Sequence, residues 1–376
     1  MPLSRREQRR SGASTFTKVR EACAHDCVLL FFAEDRADWI HIGPIANRLE
    51  ELGHQVLRLT SDPADTVIGD QGGLFTGGIV ATTRLLVSLP PCIFVTTMTD
   101  LGTYHLKRSI NDVKYVYVFH SLLSTHRAYR DHAFDSYDIF LCSGPHHVAE
   151  LKKAREVFGL NSRELLETGY CRLDYLIKQE EQFVQSDRTA PSVLLAPTWG
   201  PSSLIEYDLE LIVQALLGAS IEVVLRFHPM STRHQPDLGA QLMAKYGSDA
   251  NFSLDQSFSS TDSLMGADVI ISEWSGVAHE FAFGCLRPAV FVDTPKKAHN
   301  DTYLQLPLGC YEDDVRGSLG ALVAPRDIGS IPEVVTALVQ DGNDWKLKLS
   351  EIRDRHVFNP GRMVPVAVEQ IIDRMN

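Results

Sequence analysis

The apolar positions of this chain fall in short runs separated by polar, periodic stretches. Val28-Leu29-Leu30-Phe31-Phe32 is continuous and only five residues long, which reads as a buried strand rather than an amphipathic helix. Ile42, Ile45, Leu49 and Leu52 then recur at helical spacing over residues 40–52, and Gly53 stands where that helix would stop. Residues 55–59 give the next strand. Residues 69–78 are glycine-rich and predict a loop. Strand runs follow at 93–97, 115–119 and 139–142, with helical patterns over 121–134 and 145–158. Alternation of this kind predicts a doubly wound α/β domain.

Residues 178–190 are polar up to Pro191 and predict a helix leading into an interdomain linker. A second series then begins. Strands are expected at 192–196, 221–227, 251–254, 268–272 and 288–292, with helices at 208–217 and 276–283. A final helix is expected from about 364 to 374 and could fold back over either half. The expected organisation is a basic, disordered head (1–24), an N-terminal Rossmann-like domain (25–185) and a C-terminal Rossmann-like domain (190–360). The last helix, 362–376, is expected to pack back on the first domain.

A length of 376 residues suits two domains, at roughly 100–200 residues each. No apolar run approaches the ~18 residues that a spanning helix needs. No apolar segment follows the basic N-terminus, so it does not read as a secretory signal. Seven cysteines without a C-x-x-C pair argue against a disulfide framework and for a reducing cytoplasm. Net charge is −12. Six cations against Glu7 give the first twenty residues +5, which leaves −17 on the rest. An acidic body excludes nucleic acid as the expected partner. The basic head suits peripheral contact with an anionic membrane.

Candidate chemistry lies at strand ends, where open α/β sheets place their ligands. His120 ends the strand 115–119 and can act there as a base. Arg226 and His228 end another strand and suit phosphate oxygens or a diphosphate leaving group, with Pro229 fixing the exit of the chain. Ser275 and Gly276 open a helix and would offer a hydroxyl and backbone N–H groups to an anion. His279 and Glu280, further along, read as a structural contact, and Glu312-Asp313-Asp314 as a solvated loop. His146-His147 and His228 with His234 lack a matching ligand set, so no metal is expected. There is no D-x-D, P-loop or G-x-G-x-x-G, and no cofactor is expected. Two mid-chain segments, Thr168 to Tyr175 and Leu195 to Trp199, join the two halves and mark an interdomain site.

Taken in order, these segments resemble the CDP-glycerol glycerophosphotransferase family of teichoic-acid and capsule synthesis. The matching pieces are His120-Ser121, Thr168 to Asp174, Pro197-Thr198-Trp199, His228-Pro229, Ser272 to Gly276 and Phe358 to Arg362. The resemblance spans roughly residues 115–372. It implies a GT-B-like fold, with two Rossmann-like domains facing a central cleft, the acceptor on the first and the donor nucleotide on the second. It implies metal-independent transfer of glycerol-phosphate, or a related polyol-phosphate, from a CDP-activated donor to a lipid-linked or polymer hydroxyl, with release of CMP at the inner face of the cell membrane. His120 and His228 would be catalytic. Arg226, Ser275, Gly276, Glu273, Thr198, Trp199, Arg172 and Asp174 would bind the donor. Three departures mark this chain: Ser121 in place of glycine, Cys171 in place of proline, and Glu273 and Gly276 in place of aspartate and a second serine. The alternatives are a nucleotide-sugar glycosyltransferase, a UDP-sugar 2-epimerase-like enzyme (whose S-G-G-x-x-E-E segment is similar to 272–276), and a non-catalytic nucleotide- or glycan-binding module.

Overall fold

The computed structural model describes residues 5–24, 28–103, 106–184, 188–257 and 260–375. The first sheet contains β1 (Leu29–Ala33), β2 (Val56–Thr60), β3 (Leu74–Phe75), β4 (Cys92–Thr96), β5 (Val113–Val118), β6 (Ile139–Cys142) and β7 (Glu164–Glu167). All pairings are parallel, in the order β3-β2-β1-β4-β5-β6-β7. The second contains β8 (Ser192–Leu195), β9 (Glu222–Arg226), β10 (Phe252–Asp255), β11 (Val269–Ser272), β12 (Ala289–Val292) and β13 (Gly320–Val323). It is also parallel, in the order β10-β9-β8-β11-β12-β13. Each order reverses once, between β1 and β4 and between β8 and β11, and such switch points are where open sheets hold ligands.

Continuous apolar strands follow from this layering. Leu30 and Phe32 enter one core with Phe94, Tyr115 and Tyr117, while Leu29 and Phe31 enter another with Ile93, Val95 and Val116. Alternate side chains of one strand thus serve opposite faces, and both faces are covered by helices.

Three expectations are corrected. The head is not disordered where the structure describes it: Arg5–Ala22 is a helix. Its charge hides an apolar stripe, in which Phe16, Val19 and Ala22 pack into the first core and Thr15 donates a 2.7 Å hydrogen bond to the Phe75 carbonyl. The helix therefore covers the edge strand β3, which lies inside the region expected to be loop. Residues 1–4 and 185–187, the latter within the expected linker, lie outside the described residues. The helix expected over 121–134 shrinks to Thr125–Ala128, and the Ser124 and Thr125 backbone N–H groups donate to the Glu312 and Glu150 carboxylates rather than to a preceding helical turn. Nor is Glu312 in a solvated loop. It is buried, and it pairs with Arg127.

The chain crosses back to the first sheet after the helix Gly342–His356. Phe358 N–H donates to the Ser143 carbonyl (2.9 Å) and Asn359 Nδ2 to the Glu167 carbonyl (2.8 Å). The last helix, Met363–Ile372, then packs Met363, Ala367 and Val368 against Ile42, Ile45 and Leu49. Among the described residues no helix is long and apolar enough to cross a membrane.

Gly169 is the tight point of this crossing. Its φ is +111°, and a Cβ there would stand 2.4 Å from the Phe358 carbonyl oxygen. Gly169→Ala is expected to destabilise the chain by ~2 kcal/mol or more, since unfavourable backbone alone costs an L-residue ~1–2 kcal/mol and the clash adds to it. Urea unfolding should show a lower midpoint, and an unchanged midpoint would refute the constraint.

Candidate active site

The site is built from two groups of side chains at the carboxyl ends of the strands, joined by the turn after β11. The first group lies where β5 ends. His120 is partly exposed, and Tyr117 Oη lies 3.2 Å from its Nδ1. Burial lowers the His120 pKa, against the opposing influence of Asp38, a backbone bond at Thr97 and Glu280. A neutral imidazole is the form that can accept a proton.

The next turn is held by two histidines. His146 Nε2 lies 2.8 Å from the Leu122 carbonyl, and His147 Nε2 lies 3.1 Å from that of Leu123. His147 Nδ1 accepts from Ser143 N–H, which leaves Nε2 to carry the proton and donate. These rings hold a loop.

Opposite this turn is the helix Gly276–Gly284, capped by Ser275. The Ser275 side chain makes no capping bond, so its hydroxyl is uncommitted to the helix beside the free N–H groups. A Cβ on Gly276 would stand 3.1 Å from Ser121 Oγ. Two of the departures from the family pattern therefore meet across the cleft, with the hydroxyl on one wall and the glycine on the other.

One turn along the same helix, Glu280 reaches the first domain. Tyr170 Oη donates to Glu280 Oε1 at 2.7 Å and sits 3.0 Å from the His120 carbonyl oxygen. Arg172 Nε donates to Glu280 Oε2 at 2.6 Å. Glu280 thus ties the mid-chain segment to the second domain, rather than pairing with His279. His41, buried at the start of the helix Trp39–Glu51, stacks on Tyr170 with centroids 5.6 Å apart and lies 6.2 Å from the His120 ring.

The second group surrounds Trp199. His228 is the N-cap of the helix Pro229–His234, and its extended backbone (φ −64°, ψ 142°) is what a following proline imposes. Its Nδ1 accepts from Met230 N–H at 3.1 Å, so the neutral ring carries its proton on Nε2 and can donate from there. Burial, with Lys297, His299 and Arg233 nearby, pushes the His228 pKa down to about 4. Trp199 stacks with His299 at 5.1 Å and lies 6.1 Å from His228. Lys297 Nζ sits 4.6 Å from the Trp199 centroid and donates to Thr198 Oγ1 at 2.7 Å. A pocket opens beside this group, lined by Trp199, Gly200, Ser231 and His234.

The other expected site residues lie elsewhere. Glu273 is fully buried, and its Oε1 accepts from Thr198 N–H and Leu204 N–H, both at 2.9 Å. It shapes the loop after β8 and presents nothing to a ligand. Burial raises its pKa to about 7. Asp174 accepts from Met363 N–H at 2.7 Å and holds the last helix in place. Arg226 faces Ser260, Ser263 and, at 3.7 Å, Asp255. It is coupled electrostatically to Arg172 and Glu280 at the cleft. His299 and His41 carry no local signature, and for Lys297 the available signal was a basic pair after a strand, Lys296-Lys297.

The model of the CDP-glycerol:poly(glycerophosphate) glycerophosphotransferase family matches residues 98–313, more than half of the chain. The chain belongs to this family. That span contains His120, the mid-chain segment, His228 and the Ser275 turn. No curated protein sequence matches. Among solved structures, the wall teichoic acid polymerase TagF is similar over 98% of this chain and 94% of its own, at 14% identity and TM-score 0.61. The UDP-GlcNAc 2-epimerase of Neisseria meningitidis covers 92% and 99%, at 13% and 0.57. That of Methanocaldococcus jannaschii covers 92% and 99%, at 12% and 0.55. Identities this low show the fold, which is GT-B: two Rossmann-like domains about a cleft.

The contact between positions 121 and 276 makes a testable pair. Neighbours this close couple by ~0.5–3 kcal/mol in a double-mutant cycle. Gly276→Ser is expected to lower the unfolding midpoint in the Ser121 background and to be better tolerated with Ser121→Gly. Strict additivity would show that the two walls do not touch in solution.

Proposed function

We propose that the chain transfers glycerol-phosphate, or a related polyol-phosphate, from a CDP-activated donor to a hydroxyl of a teichoic-acid-type polymer or lipid-linked acceptor, releasing CMP. Membership of the glycerophosphotransferase family carries this reading. The cleft supplies groups suited to it. In this reading the first domain takes the acceptor and the second the donor. His120 removes the acceptor proton as oxygen attacks the β-phosphorus. His228 donates from Nε2 to a donor phosphate oxygen, and Ser275 with the N–H groups at Gly276 offers further donors. Phosphoryl transfer needs mainly positioning and charge stabilisation, and side chains with a helix N-terminus supply both without a metal.

Trp199, Thr198 and Arg226 belong to the donor side of this scheme. Arg172, Glu273 and Asp174 act through the groups they hold.

The test is a donor screen that follows release of CMP, UMP, CDP and UDP. CMP release from CDP-glycerol is expected, and exclusive release of UMP or UDP from nucleotide sugars would overturn the donor assignment. His120→Ala is expected to slow CMP release ~10²–10⁴-fold, the range of general-base catalysis. Because burial lowers the His120 pKa, the acid limb of kcat/KM is expected below pH 6.5.

Membrane contact is part of the same reading, through the basic helix Arg5–Ala22. Its buried Val19 makes deletion a poor test. Charge reversal at the exposed Arg10, Lys18 and Arg20 is cleaner. It is expected to reduce pelleting with anionic liposomes, and unchanged pelleting would remove this helix as the anchor.

A further inference from the structure

Two consecutive lysines follow β12, and they meet different surroundings. Lys296 is exposed and bonds to Asp313 Oδ2 at 2.8 Å. Lys297 turns inward, becomes partly buried, and forms no ion pair with a carboxylate among the described residues. Its neighbours are the Thr198 hydroxyl, the Trp199 ring and the two histidines His228 and His299, whose pKa values burial and the Lys297 charge both lower. An ammonium taken partly out of water beside neutral rings, with only the more distant charge of the buried Glu273 opposing the cost, is an arrangement that an anion would relieve.

The alternative cation of the site is already occupied. Arg226 is directed at Ser260, Ser263 and Asp255 by the end of β10. Lys297 is instead held in a defined place. Thr198 Oγ1 accepts one of its three protons, and Glu273 fixes Thr198 in turn through its backbone N–H. The indole sits under the same ammonium. This geometry leaves further N–H donors for a ligand next to His228.

We propose that Lys297 is a catalytic residue that binds the diphosphate of the nucleotide donor and stabilises the leaving nucleotide. The assignment rests on the transfer reading above. As the acceptor oxygen bonds to the β-phosphorus, the bond from that phosphorus to the bridging oxygen breaks and its electron pair goes to CMP. The acceptor proton passes to His120. The charge gathering on the bridging and α-phosphate oxygens is met by the Lys297 ammonium, with His228 Nε2–H as the neutral partner.

The experiment is calorimetric titration of the full chain with CDP and with inorganic pyrophosphate, alongside Lys297→Met, Lys297→Arg and Lys296→Met. Lys297→Met is expected to weaken both probes by about 10- to 100-fold, the range of a hydrogen bond to a charged group. Lys297→Arg should retain most of the affinity, and Lys296→Met should stay within about twofold if the paired lysine is a bystander. Burial brings the Lys297 pKa down to about 8. Wild-type affinity is therefore expected to fall between pH 7 and 9.5, while that of Lys297→Arg does not. This pH arm stands even if Lys297→Met fails to fold. With CDP-glycerol, kcat should fall in Lys297→Met by more than KM rises.

Equal probe binding by wild type and Lys297→Met, or no binding by wild type, overturns the proposal. Lys297-dependent binding of CDP and pyrophosphate without turnover of CDP-glycerol supports the anion site and refutes the donor reading instead.

Discussion

A single buried guanidinium sets the relation between the two domains. Arg127 follows β5 in the first domain and is fully buried. Its Nε donates to Glu312 Oε1 at 3.1 Å, and its Nη1 reaches both Asp313 oxygens at 2.8 and 2.9 Å. The second oxygen of Glu312 accepts from the Ser124 N–H at 3.0 Å and from its hydroxyl. Burial alone would raise the Glu312 pKa. The Arg127 charge and the Ser124 donors outweigh it and hold the carboxyl below its ordinary value. Removing one partner of such a pair typically costs ~3–5 kcal/mol, because the other is left charged and dry. The pair therefore has little freedom to open. The loop from 121 to 131 is pinned to the second domain, and the spacing between Ser121 and Gly276 follows from it.

That pin explains why the cleft tolerates so much uncompensated polarity. Glu280 makes a second bridge, to Tyr170 and Arg172, and Arg287 with Glu180 makes a third, so the two domains are tied by several ionic contacts. Near them lie imidazoles whose pKa values burial lowers and a lysine that makes no direct ion pair among the described residues. Each is unfavourable alone, and each persists because the surrounding contacts fix the walls. If the cleft binds the donor as proposed, its walls are fixed beforehand, which is the condition for electrostatic stabilisation without reorganisation.

The strands, and the placement of His120, His228 and Ser275 at strand ends and helix starts, were legible because they are local. A five-residue apolar run, a histidine before proline and a serine opening a helix each depend on neighbours within a few positions. The features that were misread depend on distant ones. Asp174 has the right chemistry for a ligand, but its partner, Met363, is 189 residues away. Glu273 serves backbone N–H groups 75 and 69 residues off. Glu312 looked solvated because Arg127 is 185 residues earlier. The helix Arg5–Ala22 was hidden by its charge, since three apolar positions suffice when they have only one edge strand to cover. Edge strands β7 and β13 escaped notice for a related reason, having one neighbour each and weaker apolar runs.

The exchange at positions 121 and 276 shows how the site constrains its own divergence. The family resemblance puts glycine after the histidine and a second serine at the helix start, whereas this chain has Ser121 and, after Ser275, Gly276. The Gly276 Cα faces Ser121 Oγ so closely that a Cβ would approach it to 3.1 Å, tighter than ordinary contact. A side chain fits comfortably on one wall or on the other, and the backbone N–H groups of the helix remain in either case. Ser121 Oγ also accepts from Leu123 N–H at 3.1 Å, so this hydroxyl helps to hold the turn it occupies. Positions 121 and 276 therefore share one space, and what one of them can hold depends on the other.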